Sequence, residues 1–160
     1  MDNTIELVRD AFLAWGNEGV ILDLFGGWAE ELLERRPPGP HGDIDFVHRG
    51  EDFSAIDAVL RANPDRFNEV RQKRFGHKRA LLFHGVLCEI ILVQNWDRAP
   101  VTLFWGDVPF HWNMPFLHQS EQQVAGVPIS LVHEDNLRKY RMGFKATENH
   151  RWRDRASRIP

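Results

Sequence analysis

The segment Asp43-Ile44-Asp45-Phe46-Val47 constrains this chain more than any other, because it alternates carboxylates with apolar side chains. Successive side chains of a strand point to opposite faces, so Asp43 and Asp45 share one face while Ile44 and Phe46 anchor the other in a core. Two carboxylates on a rigid strand suit a hard divalent cation such as magnesium, which takes oxygen ligands and keeps waters or substrate phosphates in its shell. Taken alone, Asp-x-Asp is a weak signal, since solvated turn aspartates account for most bare instances. Its surroundings decide the reading.

Upstream, Val20 to Phe25 is a short apolar run that suits a buried strand, and it ends on Gly26-Gly27. Glycines there let the backbone approach a phosphate, although a tight turn would use them equally well. Trp28 to Arg36 then reads as a helix, broken by Pro37, Pro38, Gly39 and Pro40 before the acidic strand begins. Ile5, Val8, Phe12 and Trp15 share one helical face over residues 4–15, and a second amphipathic helix is expected from Asp52 to Asn63. Apolar segments follow at 66–73, 79–84 and 86–93, with His84-Gly85 joining the last two as a hairpin. Residues 98–132 lack clean periodicity and are expected to form short strands and loops. Helices are expected from Glu134 to Phe144 and from Thr147 to Arg158. The fold class implied is α/β, a mixed sheet flanked by helices with helices at the C-terminal end, in a single domain over 1–160.

Glu89 stands inside Val86-Leu87-Cys88-Glu89-Ile90-Ile91-Leu92-Val93, where Cys88 and Ile90 face the opposite way. A carboxylate in so apolar a strand costs free energy unless it has a partner. An ion pair with an arginine would satisfy it; so would joining Asp43 and Asp45 as a third metal ligand, or serving as the base that deprotonates an acceptor hydroxyl. Cys88, the one cysteine, reads as a buried thiol and permits no internal disulfide.

The net charge of -3 hides an asymmetry. Residues 1–34 carry eight acidic side chains against Arg9, and residues 137–160 carry eight basic ones against Glu148 and Asp154. A basic terminal helix lying across an acidic first half explains this as well as a phosphate-binding role does. Binding of nucleic acid is disfavoured, because the whole chain is acidic and its basic residues lack aromatic interleaving; a nucleoside triphosphate is compatible. No run approaches the roughly 18 apolar residues of a membrane span, and the N-terminus lacks the order of a signal peptide. The expected location is the cytoplasm, without membrane contact.

These residues resemble the small antibiotic nucleotidyltransferases, of lincosamide and aminoglycoside type, within the DNA polymerase beta-like nucleotidyltransferase superfamily. The resemblance rests on Leu24-Phe25-Gly26-Gly27-Trp28-Ala29, the fifteen residues from Trp28 to Gly42, and His41-Gly42-Asp43-Ile44-Asp45. It continues through Leu87-Cys88-Glu89-Ile90 and from Gly126 to Phe144. It implies the nucleotidyltransferase fold and transfer of a nucleoside monophosphate, usually from ATP, to a hydroxyl of a small acceptor. By the same resemblance Asp43 and Asp45 hold two magnesium ions and Glu89 completes the second site. Gly26 and Gly27 touch the phosphates, and His41 donates to a phosphate oxygen or packs at a loop end. Trp28 is shared between core and nucleotide contact.

One departure stands out: Gly39 occupies a position, two residues before His41, where the family often has arginine. Lys139, Arg141 or Lys145 could supply the missing cation, with solvated surface positions as the alternative. Rival readings keep the fold but give it a protein or RNA acceptor, or make it a non-catalytic nucleotide-binding module. Trp105, Phe110, Trp112 and Phe116 could line an acceptor pocket, form a homodimer face or build a second core layer.

Overall fold

The computed structural model describes residues 2–146. The helix expected from Thr147 to Arg158 and most of the basic C-terminal run lie outside them. Helix α1 (Ile5–Asn17) starts where the Thr4 side chain accepts the Leu7 N–H, and it ends ahead of Gly19, which turns the chain at φ 75°. Leu7, Val8, Ala11, Ala14 and Trp15 form its buried face, and Trp15 stacks on Phe67 with ring centroids 4.4 Å apart.

The principal sheet runs β1-β2-β5-β4-β3, where β1 is Asp23–Phe25, β2 Asp43–Arg49, β3 Asn68–Glu69, β4 Lys78–Phe83 and β5 Val86–Val93. Only β2 and β5 pair in parallel; the other neighbours are antiparallel. Helix α3 (Ser54–Ala62) follows β2 and buries Ile56, Val59 and Leu60, and a 3-10 turn at Arg71–Lys73 separates β3 from β4. His84 and Gly85, both at positive φ, close the β4–β5 hairpin as expected. Two small ribbons occupy the aperiodic region: β6 (Val101–Phe104) with β7 (Val108–His111), and β8 (Gln122–Val124) with β9 (Val127–Ile129).

Two boundaries differ from the sequence expectation. The strand expected from Val20 begins only at Asp23, where pairing with Val47 starts, and helix α2 runs Gly26–Leu32 instead of Trp28 to Arg36. The helix begins directly on the glycine turn, and Glu34 at φ 55° ends it before Arg36. Asp23, fully buried, accepts from Arg49 Nε at 2.6 Å and lies 2.6 Å from Ser130 Oγ. That network ties β1, β2 and the segment after β9 together.

Helix α4 (Glu134–Ala146) lies against α2: Arg141 holds Glu30 through both carboxylate oxygens, and Arg35 reaches Glu134 at 3.3 Å. In its described part, the basic end meets the acidic first half through Arg141 and Glu30 alone, while the Arg35–Glu134 pair has the opposite polarity. The aromatic stretch is divided. Trp112 and Phe116 are buried in the core, and Tyr140 of α4 stacks parallel to Trp112 and edge-on to Phe25, while Trp105 reaches a cleft. No helix among the described residues is long and apolar enough to cross a membrane.

Candidate active site

The site follows from strand alternation and register. Ile44, Phe46, Cys88 and Ile90 are all fully buried on one face of the sheet, which turns Asp43, Asp45 and Glu89 to the other. In the parallel β2–β5 pair Asp45 lies directly beside Glu89, and Asp43, two residues earlier, beside Leu87. The three carboxylates each offer an oxygen within 4.8 Å of the others, a spacing that one cation can bridge.

They form the floor of a cleft of about 540 Å³. Burial, then the charges of Asp43 and Glu89, push the Asp45 carboxyl well above its ordinary range; Asp43 is raised by burial and by Glu89. Burial would also raise Glu89, but the charge of Lys78 and hydrogen bonds from Lys73 (2.8 Å) and Lys78 (3.0 Å) outweigh it and hold the carboxyl low. Two raised acids beside one kept ionised by ammonium groups make a site short of positive charge, which is the chemistry of a donor set for a hard divalent cation.

One wall is the turn at the end of β1. Gly26 sits at φ 68°, and a Cβ there would come within 2.9 Å of Asp45 Cγ and closer still to its carboxylate oxygen. A Cβ on Gly27 would meet His41 Nδ1 at 2.8 Å and Arg36 Nη1 at 2.9 Å. Gly26 is thus required both by its backbone and by its close approach to Asp45, whereas a side chain on Gly27 would push aside the Arg36 and His41 side-chain ends. His41 lines the cleft, and its Nε2 lies 2.8 Å from Glu31. Trp28 packs against His41 with ring centroids 3.9 Å apart and donates its indole N–H to Asn3, so its ring lies behind the cleft wall and outside the lining.

The opposite wall comprises His77, Lys78, Ile91, Phe104 and Trp105, with Tyr140 and Arg141 closing over from α4. Burial holds His77 down to about 3, and its Nδ1 accepts the Trp105 N–H at 3.0 Å, so the ring is neutral. Burial pushes the Tyr140 hydroxyl up, assisted by Asp45 and Glu89, and keeps it protonated. Among the cations considered from sequence, Arg141 lines the cleft, whereas Lys139 is engaged with the His111 carbonyl and Asn113 Oδ1; the Lys145 side chain lies outside the described residues.

Lys73, Lys78, Arg36 and His77 escaped the sequence reading, and Glu89 is paired with lysines where an arginine had been the expected alternative. For Lys78 a signal was present. The two-residue turn at His84-Gly85 sets Phe83 opposite Val86 and hence Ala80 opposite Glu89, which puts Lys78 on the carboxylate's face of the sheet.

The chain matches the lincosamide antibiotic adenylyltransferase LnuA, bound to lincomycin, with a TM-score of 0.68 at 15% identity over 100% of both chains. The fold is that of a nucleotidyltransferase. The nucleotidyltransferase fold also relates it to ANT(2'')-Ia in complex with adenylyl-2''-tobramycin, with a TM-score of 0.62 at 14% identity, covering 96% of this chain and 85% of that one. An antigenic nucleotidyltransferase-like protein from Paracoccidioides brasiliensis matches with a TM-score of 0.52 at 18% identity, covering 96% of this chain and 72% of the other. No family model matches the chain, and no curated protein matches it in sequence.

Proposed function

We propose that this chain is a metal-dependent nucleotidyltransferase that moves a nucleoside monophosphate, AMP from ATP in the first instance, onto a hydroxyl of a small molecule. The observation that carries this reading is the meeting of Asp43, Asp45 and Glu89 on the floor of a cleft whose wall is the Gly26-Gly27 turn. Asp43 and Asp45 would hold two magnesium ions with Glu89 completing the second site, and the ions would neutralise charge on the triphosphate and on the leaving pyrophosphate.

The residues of the chain then have distinct tasks. Gly26 and Gly27 leave room for phosphate against the backbone, and Arg36 would present its guanidinium along the same side, while His41, whose Nε2 is taken by Glu31, lines that wall and Arg141, held by Glu30, reaches in from α4. The acceptor oxygen attacks the α-phosphorus, forming a new P–O bond. The bond from that phosphorus to the bridging oxygen breaks, and pyrophosphate departs with its electron pair. The hydroxyl proton passes to a Glu89 carboxylate oxygen, which Lys73 and Lys78 keep ionised and oriented.

The test uses labelled ATP, GTP, CTP or UTP with magnesium and an acceptor panel, read as pyrophosphate release and label transfer. Asp45→Asn is expected to lower turnover by about 100-fold or more. Magnesium-dependent nucleotide binding that is absent, or that is unchanged in Asp45→Asn, would defeat the reading.

A further inference from the structure

Asp43 has the least main-chain support of the three carboxylates. It is the first residue of β2, and β1 stops at Phe25 opposite Asp45, so Asp43 has a strand neighbour, Leu87, on one side alone. Asp45 lies between Phe25 and Glu89, and Glu89 between Asp45 and Ala80. The loop that leads into Asp43 has less support still. Residues 36–42 make no main-chain to main-chain hydrogen bond among the described residues, yet they carry Arg36 and His41 into the cleft wall. Strand ends and segments without ladder bonds are where a fold opens at least cost.

Side chains hold this stretch instead. Glu31 accepts the Gly39 N–H at 3.2 Å and meets His41 Nε2 at 2.8 Å. From the segment ahead of α1, Asn3 donates its amide to the Asp43 carbonyl at 2.8 Å and to the His41 carbonyl at 3.1 Å. Its Oδ1 accepts the Trp28 indole N–H at 3.1 Å, and Trp28 packs on His41. A carboxamide carries two N–H donors beside an acceptor oxygen, and all three functions are used. One short side chain therefore joins α2, the loop and the first residue of β2.

We infer that Asn3 is a positioning residue for the metal site: it fixes the main chain at Asp43, so that this carboxylate already meets Asp45 and Glu89 before a divalent cation arrives. The inference rests on the transferase reading. Asn3 is not part of the cleft lining and acts only through Asp43 and His41. A ligand that is free to move has to be ordered when the ion binds, and that cost is subtracted from affinity. Ordering it through the fold removes the cost. Groups that orient metal ligands from behind are worth about 10- to 100-fold in metal affinity.

The test compares the intact chain with Asn3→Ala, Asn3→Asp and Thr4→Ala. Each is titrated with manganese alone, which takes the same oxygen ligands as magnesium, and separately with ATP in magnesium. Asn3→Asp keeps the acceptor for Trp28 and loses both donors. Thr4→Ala removes the α1 cap, whose Oγ1 accepts the Leu7 N–H at 3.4 Å, and so reports what loosening the neighbouring stretch does by itself. Both Asn3 variants are expected to raise the manganese Kd about tenfold, and Thr4→Ala less than about twofold. In chelator, the NMR order parameters of the Gly42 and Asp43 amides should fall in Asn3→Ala from about 0.85 to below about 0.6, and recover with manganese replaced by saturating magnesium and ATP. A manganese Kd in either Asn3 variant equal to that of the unaltered chain overturns the inference alone, as does an equal shift in Thr4→Ala, or Gly42 and Asp43 amides as ordered in Asn3→Ala as in the unaltered chain. Absence of magnesium-dependent ATP binding in the unaltered chain removes the transferase reading, and the inference with it.

Discussion

Gly26 and Asp45 are in direct apposition: any side-chain carbon on Gly26 would come within 2.9 Å of Asp45 Cγ. Gly19 has a similar backbone, φ 75° against 68°, yet nothing lies within 4 Å of its missing Cβ. The pair makes an internal control. Gly19→Ala should cost about 1–2 kcal/mol for the left-handed backbone alone. Gly26→Ala should cost more, about 2–4 kcal/mol, and should also displace the Asp45 carboxylate. Denaturant unfolding gives the first quantity, and magnesium-dependent ATP binding shows the second, which Gly19→Ala should leave intact.

The Asp45 charge is unfavourable for the metal-free fold, first because it is taken out of water and then because Asp43 and Glu89 crowd it. Asp45→Asn keeps the shape and removes the repulsion. Without metal, its melting temperature should exceed that of the original chain by about 2–4 °C at neutral pH. With magnesium the order should reverse or the gap close, since only the original chain gains from the ion. An Asp45→Asn protein less stable than the parent in chelator would contradict this account.

Lys78 supplies positive charge to the acidic floor before any cation arrives, through its 3.0 Å bond to Glu89. Lys78→Met retains the aliphatic stem and loses that charge. The metal-free protein should melt lower than the parent, and magnesium should raise its melting temperature by a larger increment than in the parent. Equal increments in the two proteins would show that lysine and metal act on separate charges.

His77, in the wall of the same cleft, provides a pH signature of its own. Its ring is held to about 3 when folded, against the ordinary 6.5, so the unfolded chain binds the extra proton first. Stability is full above 6.5 and declines as pH falls toward 3. Between pH 7 and pH 5 this one group should remove about 2 kcal/mol. His77→Gln, which can still accept the Trp105 N–H, should flatten that part of the stability curve measured by denaturant titration.

Sequence pattern carried the strands that bear the three carboxylates. Alternation predicts the faces of Asp43, Ile44, Asp45 and Phe46, and an isolated carboxylate in an apolar run marks Glu89; the hairpin turn at His84-Gly85 even contains the register that places Lys78. Lys73, Arg36 and Tyr140 were a different matter. Lys73 arrives from a 3-10 turn and Tyr140 from a helix docked over the cleft, and such approaches depend on how elements pack in three dimensions, which periodicity along the chain does not encode. The early start of α2 was missed for a related reason: glycine disfavours a helix interior but not a first turn whose backbone is pinned against Asp45 and His41.

The parallel pairing of β2 with β5 has a wider consequence. The span from Asp45 to Glu89 is set by main-chain hydrogen bonds between adjacent strands, locked by buried residues on the reverse of the sheet. The spacing of these acids is therefore a by-product of how well the hydrophobic interior fits, and a lost methylene at Ile44 or Ile90 would be felt as a mis-spaced pair of acids. The turn at Trp105-Gly106 between β6 and β7 carries no such duty, and changes there would leave the spacing of the two acids as it is.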